Sequence, residues 1–269
     1  IYWDVDPNIV QIGPVTVRYY GLLFALAFVV GYQILYWIFN KEGKNLKELE
    51  SFTIAMIVGT VVGARLGHCL FYEPFYYLSN PIEILKVWKG GLASHGGALG
   101  LAISLYIFIK FRKRENSFIW FADRAVISIS LAAAFIRIGN FFNSEIVGRA
   151  SDLPWAVIFA RVDLVPRHPS QIYEALSYLA IFLILLFRYK KYNVNLPKGE
   201  MFGLFLVLLF SARFIIEFFK EVQVEFEKGM ALDMGQLLSL PGVLLGIGLL
   251  LWSFKVRESN KKSPAKKPD

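Results

Sequence analysis

Seven stretches of nearly continuous apolar residues run through the chain, at 18–39, 52–71, 91–109, 118–137, 172–188, 200–219 and 236–254. A helix rising 1.5 Å per residue needs about 20 such residues to cross the hydrocarbon core, so each stretch predicts a membrane span. The connections are short except for two, residues 72–90 and 138–171. The second holds Pro154, Trp155, Pro166 and Pro169 around a strand-like run at 156–162. Long loops in compact proteins tend to carry function, so 138–171 is read as a small ordered head. The expected architecture is an all-α polytopic membrane protein with seven transmembrane helices. It forms one membrane domain over residues 1–254, followed by a basic, disordered tail over 255–269. The first stretch has no basic n-region, is longer than the ~7–15 residues of a signal peptide's apolar run and has no small-residue cleavage site after it, so it is read as a span and not as a cleaved signal peptide. Glycines at four-residue spacing (Gly59, Gly63 and Gly67; Gly96 and Gly100; Gly242 and Gly246) predict close helix–helix contacts.

Composition agrees: 56% of the 269 residues are hydrophobic and 19% charged. Soluble domains run nearer ~45–50% and ~25%. Charge sets the orientation. Seventeen lysines and arginines fall in the connections after the first, third and fifth spans and in the tail, against eight on the opposite side. The positive-inside rule then puts the C-terminus in the cytoplasm and the N-terminus outside. The net charge of +8 is read as contact with the inner leaflet, with no nucleic-acid partner. One cysteine, Cys69, excludes an internal disulfide, and it forms no metal-ligand spacing with the three histidines.

Four arginines lie within apolar stretches: Arg65, Arg124, Arg137 and Arg213. A guanidinium does not titrate, and burying one in a bilayer costs from ~3 to more than 10 kcal/mol, so each needs a partner, water or an anionic ligand. Sorted by depth along the seven spans, the polar residues gather toward the outer end. These are Tyr20, Arg65 and His68, the turn His95-Gly96-Gly97, then Arg137, Asn140, Asn143 and Glu145, and finally Arg213 with Glu217 one turn away. Only Asp123 and Arg124 remain near the inner side. Permanent cations beside an imidazole, a phenol and carboxamides suit a phosphate at headgroup level, since arginine matches phosphate with a two-pronged fork. His95 could take a proton near neutral pH.

Each residue also has an ordinary reading. Arg213 with Glu217 is a plausible intrahelical pair, Arg137 a snorkelling cation, Tyr20 an interfacial aromatic and His95 a packing residue. Arg65 with His68, and Asp123 with Arg124, read as structural. On these residues alone the chain is an enzyme or binder acting on a phosphorylated lipid. A transporter would place polar groups at the midplane in related halves, which this chain lacks. An intramembrane protease would need a serine–histidine pair or a carboxylate dyad, and neither is present.

The segment Arg137-Ile-Gly-Asn-Phe-Phe-Asn-Ser-Glu-Ile-Val-Gly148 resembles the signature of the bacterial prolipoprotein diacylglyceryl transferases. Further blocks follow the family's order: Tyr20-Gly21, Gly90-Gly-Leu-Ala-Ser-His95-Gly-Gly, Arg167-His-Pro-Ser-Gln-Ile-Tyr-Glu174, Arg213-Phe-Ile-Ile-Glu217 and Met234-Gly-Gln236. Two positions depart from it: Ile136 stands where glycine is usual, and Lys220 where arginine is frequent. The resemblance implies transfer of the diacylglyceryl group of phosphatidylglycerol to the lipobox cysteine of a preprolipoprotein signal peptide. The reaction would run at the outer face of the bacterial cytoplasmic membrane, and displacement of this kind needs charge and a base but no metal or organic cofactor. His95, Arg137, Arg213 and Tyr20 are the expected catalytic group. Substrate binding is expected from Gly96, Gly97, Asn140, Asn143, Glu145, Gly148, His168, Gln171, Tyr173, Glu174, Glu217 and Gln236, with Glu217 orienting Arg213.

Overall fold

The computed structural model describes residues 1–13, 15–87, 90–111, 117–221 and 231–262. Among them the chain is mostly helical. The long helices are α1 (Tyr19–Lys41), α2 (Leu46–Phe71), α5 (Ser94–Phe111), α6 (Phe118–Phe142), α7 (Ser170–Tyr192), α8 (Glu200–Glu217) and α9 (Met234–Lys262), with two short ones, α3 (Pro74–Ser79) and α4 (Pro81–Ile84), after α2. All seven apolar stretches are helical. Five of these helices are long and apolar enough to cross a membrane: α1, α2, α6, α7 and α9. The other two, α5 and α8, have 18 residues each. Gly90 and Gly91, at φ 88° and 70°, hold the chain out of helix just before α5, and α8 carries Glu200, Arg213 and Glu217.

The all-α expectation needs correction, because five short strands are present. These are β1 (Tyr2–Trp3), β2 (Asn8–Ile12), β3 (Val15–Arg18), β4 (Val157–Phe159) and β5 (Pro166–Arg167). One sheet has the order β1-β4-β5, with β1 parallel and β5 antiparallel to β4; β2 and β3 form a hairpin. The strand expected at 156–162 is therefore shorter. The loop expected over 138–171 is helical at both ends, since α6 continues to Phe142 and α7 begins at Ser170. At the C-terminus α9 runs to Lys262, so the first part of the tail expected to be disordered is helical, while 263–269 lie outside the described residues.

The chain divides into two compact units, Ile1–Leu35 with Ala122–Asp269, and Tyr36–Phe121. In the second unit, α2 and α5 meet along the spaced glycines. A Cβ on Gly63 would lie 2.6 Å from the Cα of Gly100, and one on Gly67 would lie 2.7 Å from the Cα of Gly96. Backbones at this separation tolerate only glycine. Aromatic rings (Phe39, Phe52, Phe108 and Phe121) fill its core. Arg65, 3% exposed, is a clamp within this unit. It donates to the carbonyls of Glu83, Ile84, Gly90 and Gly91 and lies over the Tyr77 ring, 4.9 Å from its centroid. Two of these carbonyls end α4 and two precede α5, so one buried cation ties the two helices' facing ends together.

In the first unit, α8 and α9 pack through glycine as well: a Cβ on Gly203 would lie 3.0 Å from the carbonyl oxygen of Gly246. Asp123, fully buried, accepts hydrogen bonds from the backbone amides of Gly199 (2.7 Å) and Phe202 (2.9 Å). It therefore caps the start of α8, where unsatisfied amides and the helix dipole favour a carboxylate. Arg124 stands 4.0 Å away, so the expected Asp123–Arg124 pair is secondary to the cap.

Candidate active site

The signature segment ends α6 and turns back on itself, and its two glycines mark the points of closest approach. A Cβ on Gly139 would lie 2.8 Å from Cδ2 and 3.3 Å from Cα of Tyr20. The first turn of α1 thus rests on the last turn of α6, reinforced by Tyr19 stacked on Phe142 at 4.2 Å. Tyr20 is thereby seated beside the face that carries Arg137 and Asn140. A Cβ on Gly148 would run into the carbonyl oxygen of His168 and lie 2.7 Å from that of Phe219. Only a residue without a side chain lets the segments around His168 and Phe219 flank this strand.

Between the glycines the backbone is strained. Ser144 and Ile146 both have φ 56°, one on each side of Glu145. A β-branched residue in the left-handed region costs about 1–3 kcal/mol, so its surroundings must hold it. The start of α7 does so: Ser170 Oγ donates to the Ile146 carbonyl at 2.8 Å, and Gln171 Nε2 to the Glu145 carbonyl at 2.6 Å. The Glu145 side chain is aimed back at α6. It accepts from Asn140 Nδ2 at 2.9 Å and from Asn143 Nδ2 at 3.1 Å. Asn140 in turn accepts from Arg137 Nη1 at 3.3 Å.

Arg137 has a second partner. Its Nε lies 3.0 Å from Oε2 of Glu174, which is 0% exposed. Glu174 Oε1 receives Tyr178 Oη at 3.3 Å and the ammonium of Lys220 at 3.1 Å. Lys220 also donates to Glu217 at 2.9 Å. Two cations and two carboxylates thus alternate: Arg137, Glu174, Lys220, Glu217. This alternation offsets the desolvation that would make any one of them costly to bury.

The link expected between Glu217 and Arg213 is not formed. Glu217 ends α8, and the turn that follows carries Lys220 beneath it. No side chain separates it from the next helix, because Gly235 abuts its carboxylate. Among the described residues the Arg213 guanidinium makes no hydrogen bond or ion pair. It is half-buried and borders the network through its electrostatic contact with Tyr178. A fixed charge in that position is open to an anion.

Several residues expected to contact substrate have partners within the fold. Gln236, 2% exposed, forms a capping box with Asp233 at the start of α9. Gln171 holds the Glu145 loop. Gly96 and Gly97 are buried against α2, Gly96 on Gly63 and Gly67, and Gly97 on Thr60 and Ala64. His168 and Tyr173 meet each other, with Tyr173 Oη 3.1 Å from His168 Nδ1. The His95 side chain lies outside the described residues. Sequence reasoning missed Tyr178 and undervalued Lys220. Tyr178 stands four residues after Glu174 on α7, a spacing that could have flagged it.

A cluster of arginines, carboxamides and paired carboxylates can hold an anionic headgroup and its polyol, and comparison with known proteins agrees. The family model described as prolipoprotein diacylglyceryl transferase matches residues 7–252. The phosphatidylglycerol–prolipoprotein diacylglyceryl transferase of Tolumonas auensis is 49% identical over 255 residues, covering 95% of this chain and 98% of that protein. The protein of the same description from Chloroherpeton thalassium is 46% identical over 263 residues, 98% of each chain. That of Bacteroides fragilis is 42% identical over 259 residues, covering 92% of this chain and 93% of its own. With its apolar helices, its signature segment folded around Arg137 and full-length similarity to these relatives, the chain is a multi-pass membrane protein that belongs to the prolipoprotein diacylglyceryl transferase family.

Proposed function

We propose that this protein transfers the diacylglyceryl group of phosphatidylglycerol to the thiol of a preprolipoprotein's lipobox cysteine. Sulfur attacks the diacylglycerol carbon next to the phosphate and forms a thioether. The carbon–oxygen bond to phosphate breaks, and glycerol phosphate leaves with the electron pair. The thiol proton passes to a base, for which His95 is the candidate; a free thiol with pKa about 8.5 is mostly protonated at neutral pH.

The observation that carries this reading is the open guanidinium of Arg213 beside the network of Arg137. Arg213 grips the phosphate directly. Arg137, turned by Glu174 and Asn140, offers its remaining N–H donors to the same group. Donors fixed in advance toward developing charge lower a barrier by about 3–4 kcal/mol each. Asn140 and Glu145 hold the headgroup glycerol, and Tyr20 orders the donor lipid against Gly139. Lys220 and Glu217 keep Glu174 in place.

In this reading all seven long helices span the bacterial cytoplasmic membrane, with the N-terminus outside. The Arg137 end of α6 then lies at the outer surface, where phospholipid headgroups and the end of a signal peptide meet. The distribution of basic residues supports this sidedness. The test is to incubate the purified protein with phosphatidylglycerol and a lipobox peptide. Glycerol phosphate release, with a mass gain of one diacylglyceryl group on the peptide cysteine, is the expected result. Lipid turnover with no thioether product would overturn the reading.

A further inference from the structure

A cleft of about 390 Å³ opens in the first unit between the first turns of α7, the end of α8 and the loop that carries Trp155. This lies within the usual range of ligand sites, about 300–1,000 Å³. Its walls are apolar, chiefly Leu153, Trp155, Ile216 and Phe219, and it is distinct from the charge network. Tyr173 and Phe219 line it, while their sequence neighbours Glu174 and Lys220 belong to the ion pairs. The two sites therefore share the start of α7 and the turn after α8.

The cleft also has a polar edge. Trp155 Nε1 donates to Tyr173 Oη at 2.8 Å, and Tyr173 Oη lies 3.1 Å from His168 Nδ1. Indole can only donate, so the phenol oxygen accepts from it, and the tautomer of His168 sets which way the bond to Nδ1 runs. The other ring nitrogen, Nε2, a donor or an acceptor according to that tautomer, has no hydrogen-bond partner among the described residues. The surrounding backbone is rigid: Gly148 N donates to the His168 carbonyl at 3.0 Å, and Arg149 N to the Phe219 carbonyl at 2.9 Å. His168 and Phe219 are thus pinned side by side by two consecutive residues of the segment after α6.

We propose that this cleft binds the peptide substrate. An apolar side chain of an extended segment lies between Trp155 and Phe219, and His168 Nε2 hydrogen-bonds to a peptide backbone group. A hydrocarbon chain would leave that nitrogen without a partner, at a cost in free energy, whereas a peptide backbone offers both N–H and carbonyl groups. The proposal rests on the transferase reading and gives its second substrate a place beside the phosphate site.

The test uses full-length protein in detergent and a fluorescent lipobox peptide with serine in place of the acceptor cysteine, so that binding is read without reaction. Ser177 faces the cleft one turn below Tyr173, and Ser177→Leu fills it. Ser177→Leu and Tyr173→Phe are each expected to weaken the peptide Kd tenfold or more, while Ser177→Ala leaves it within twofold. In a transfer assay the KM for phosphatidylglycerol should stay unchanged in all three variants, which also shows that they are folded. An unaltered peptide Kd in Ser177→Leu, or no peptide binding by the unsubstituted protein, overturns the proposal. So does a raised KM for phosphatidylglycerol with unchanged peptide binding, which would mark the cleft as an acyl-chain site. Tight peptide binding without thioether formation would sink the transferase reading and leave the cleft's assignment standing.

Discussion

The Lys220 ammonium, 5% exposed, stands 3.1 Å from a carboxylate oxygen of Glu174, which is completely buried. Lys220 lies just past the end of α8 and Glu174 in the second turn of α7. The contact therefore joins two helix ends, and through Glu174 it reaches Arg137. Glu174 divides its charge between two cations, so Arg137 is oriented without being fully neutralised.

Removing that ammonium should be costly. Lys220→Met leaves Glu174 and Glu217 each short of a partner, and a broken buried pair costs about 3–5 kcal/mol. Thermal unfolding in detergent should show the loss. Lys220→Arg can keep both pairs and should retain transfer within a few-fold. A Lys220→Met protein as stable as the parent would show that the pairing contributes nothing.

Arg213 and Arg137 should separate in their effects. No hydrogen bond or ion pair holds Arg213 among the described residues, so Arg213→Ala should lower kcat/KM by about 10²–10³ while barely moving the melting temperature. Arg137→Ala should lose comparable activity and be destabilised as well, because it strips Glu174 of one of its cations. Equal stability losses in the two variants would contradict this division.

Strain around Glu145 predicts an unusual ordering of two variants. Ile146→Ala and Ile146→Gly both lose the half-buried side chain, but only glycine sheds the left-handed cost of about 1–3 kcal/mol, against about 0.5–1 kcal/mol of backbone entropy. The glycine variant should therefore be the more stable of the two by about 1 kcal/mol in denaturant unfolding. Ser170→Ala, which deletes the bond to the Ile146 carbonyl, should lose about 1 kcal/mol. If Ile146→Gly is no more stable than Ile146→Ala, the strain is not real.

Gly139→Ala tests the seat of Tyr20. The added methyl meets the Tyr20 ring at 2.8 Å and the backbone of α1 at 3.3 Å, so α1 must shift. Overpacking of this kind costs about 1–3 kcal/mol. Transfer should fall with a rise in the KM for phosphatidylglycerol, measured in mixed micelles. An unchanged KM would remove Tyr20 from donor binding.

Acid should loosen the loop before α7 at one carboxylate. Arg167 hydrogen-bonds Asp163 and holds its pKa below the ordinary 3.8. A depressed folded pKa stabilises above the unfolded value and ceases to do so as pH falls through the folded one. The tie is therefore complete at neutral pH and lost only below about pH 4. Hydrogen exchange across residues 157–167 should accelerate in that acid range in the parent. In Asp163→Asn it should already be faster at neutral pH, with a smaller change on acidification.

Much of this was legible in the amino-acid string. The seven apolar stretches became the seven long helices, because continuous hydrophobicity acts on its own segment and needs no distant partner. The spaced glycines marked real helix contacts, because a row of residues without side chains is itself a local pattern, although which helix fills it is not. Arg137, Asn140 and Glu145 could be grouped because they lie within nine residues of each other. Of the strands only β4 could be seen, as the run at 156–162; β1 has two residues, and its order comes from lying along β4, some 155 positions later.

Choice of partner was the part hidden from the string. An arginine and a glutamate four apart on one helix, Arg213 and Glu217, looked like a pair. In the folded chain Glu217 instead meets Lys220, and Arg213 has no hydrogen bond or ion pair among the described residues. Likewise Asp123 serves the amides of a helix that begins near Gly199, and Gln236 is occupied by Asp233. Burying apolar length is a property of each segment, so it can be read locally and it dictates the membrane helices. A buried charge is satisfied by whatever its neighbours in space can supply, and those neighbours are fixed only once the helices have packed.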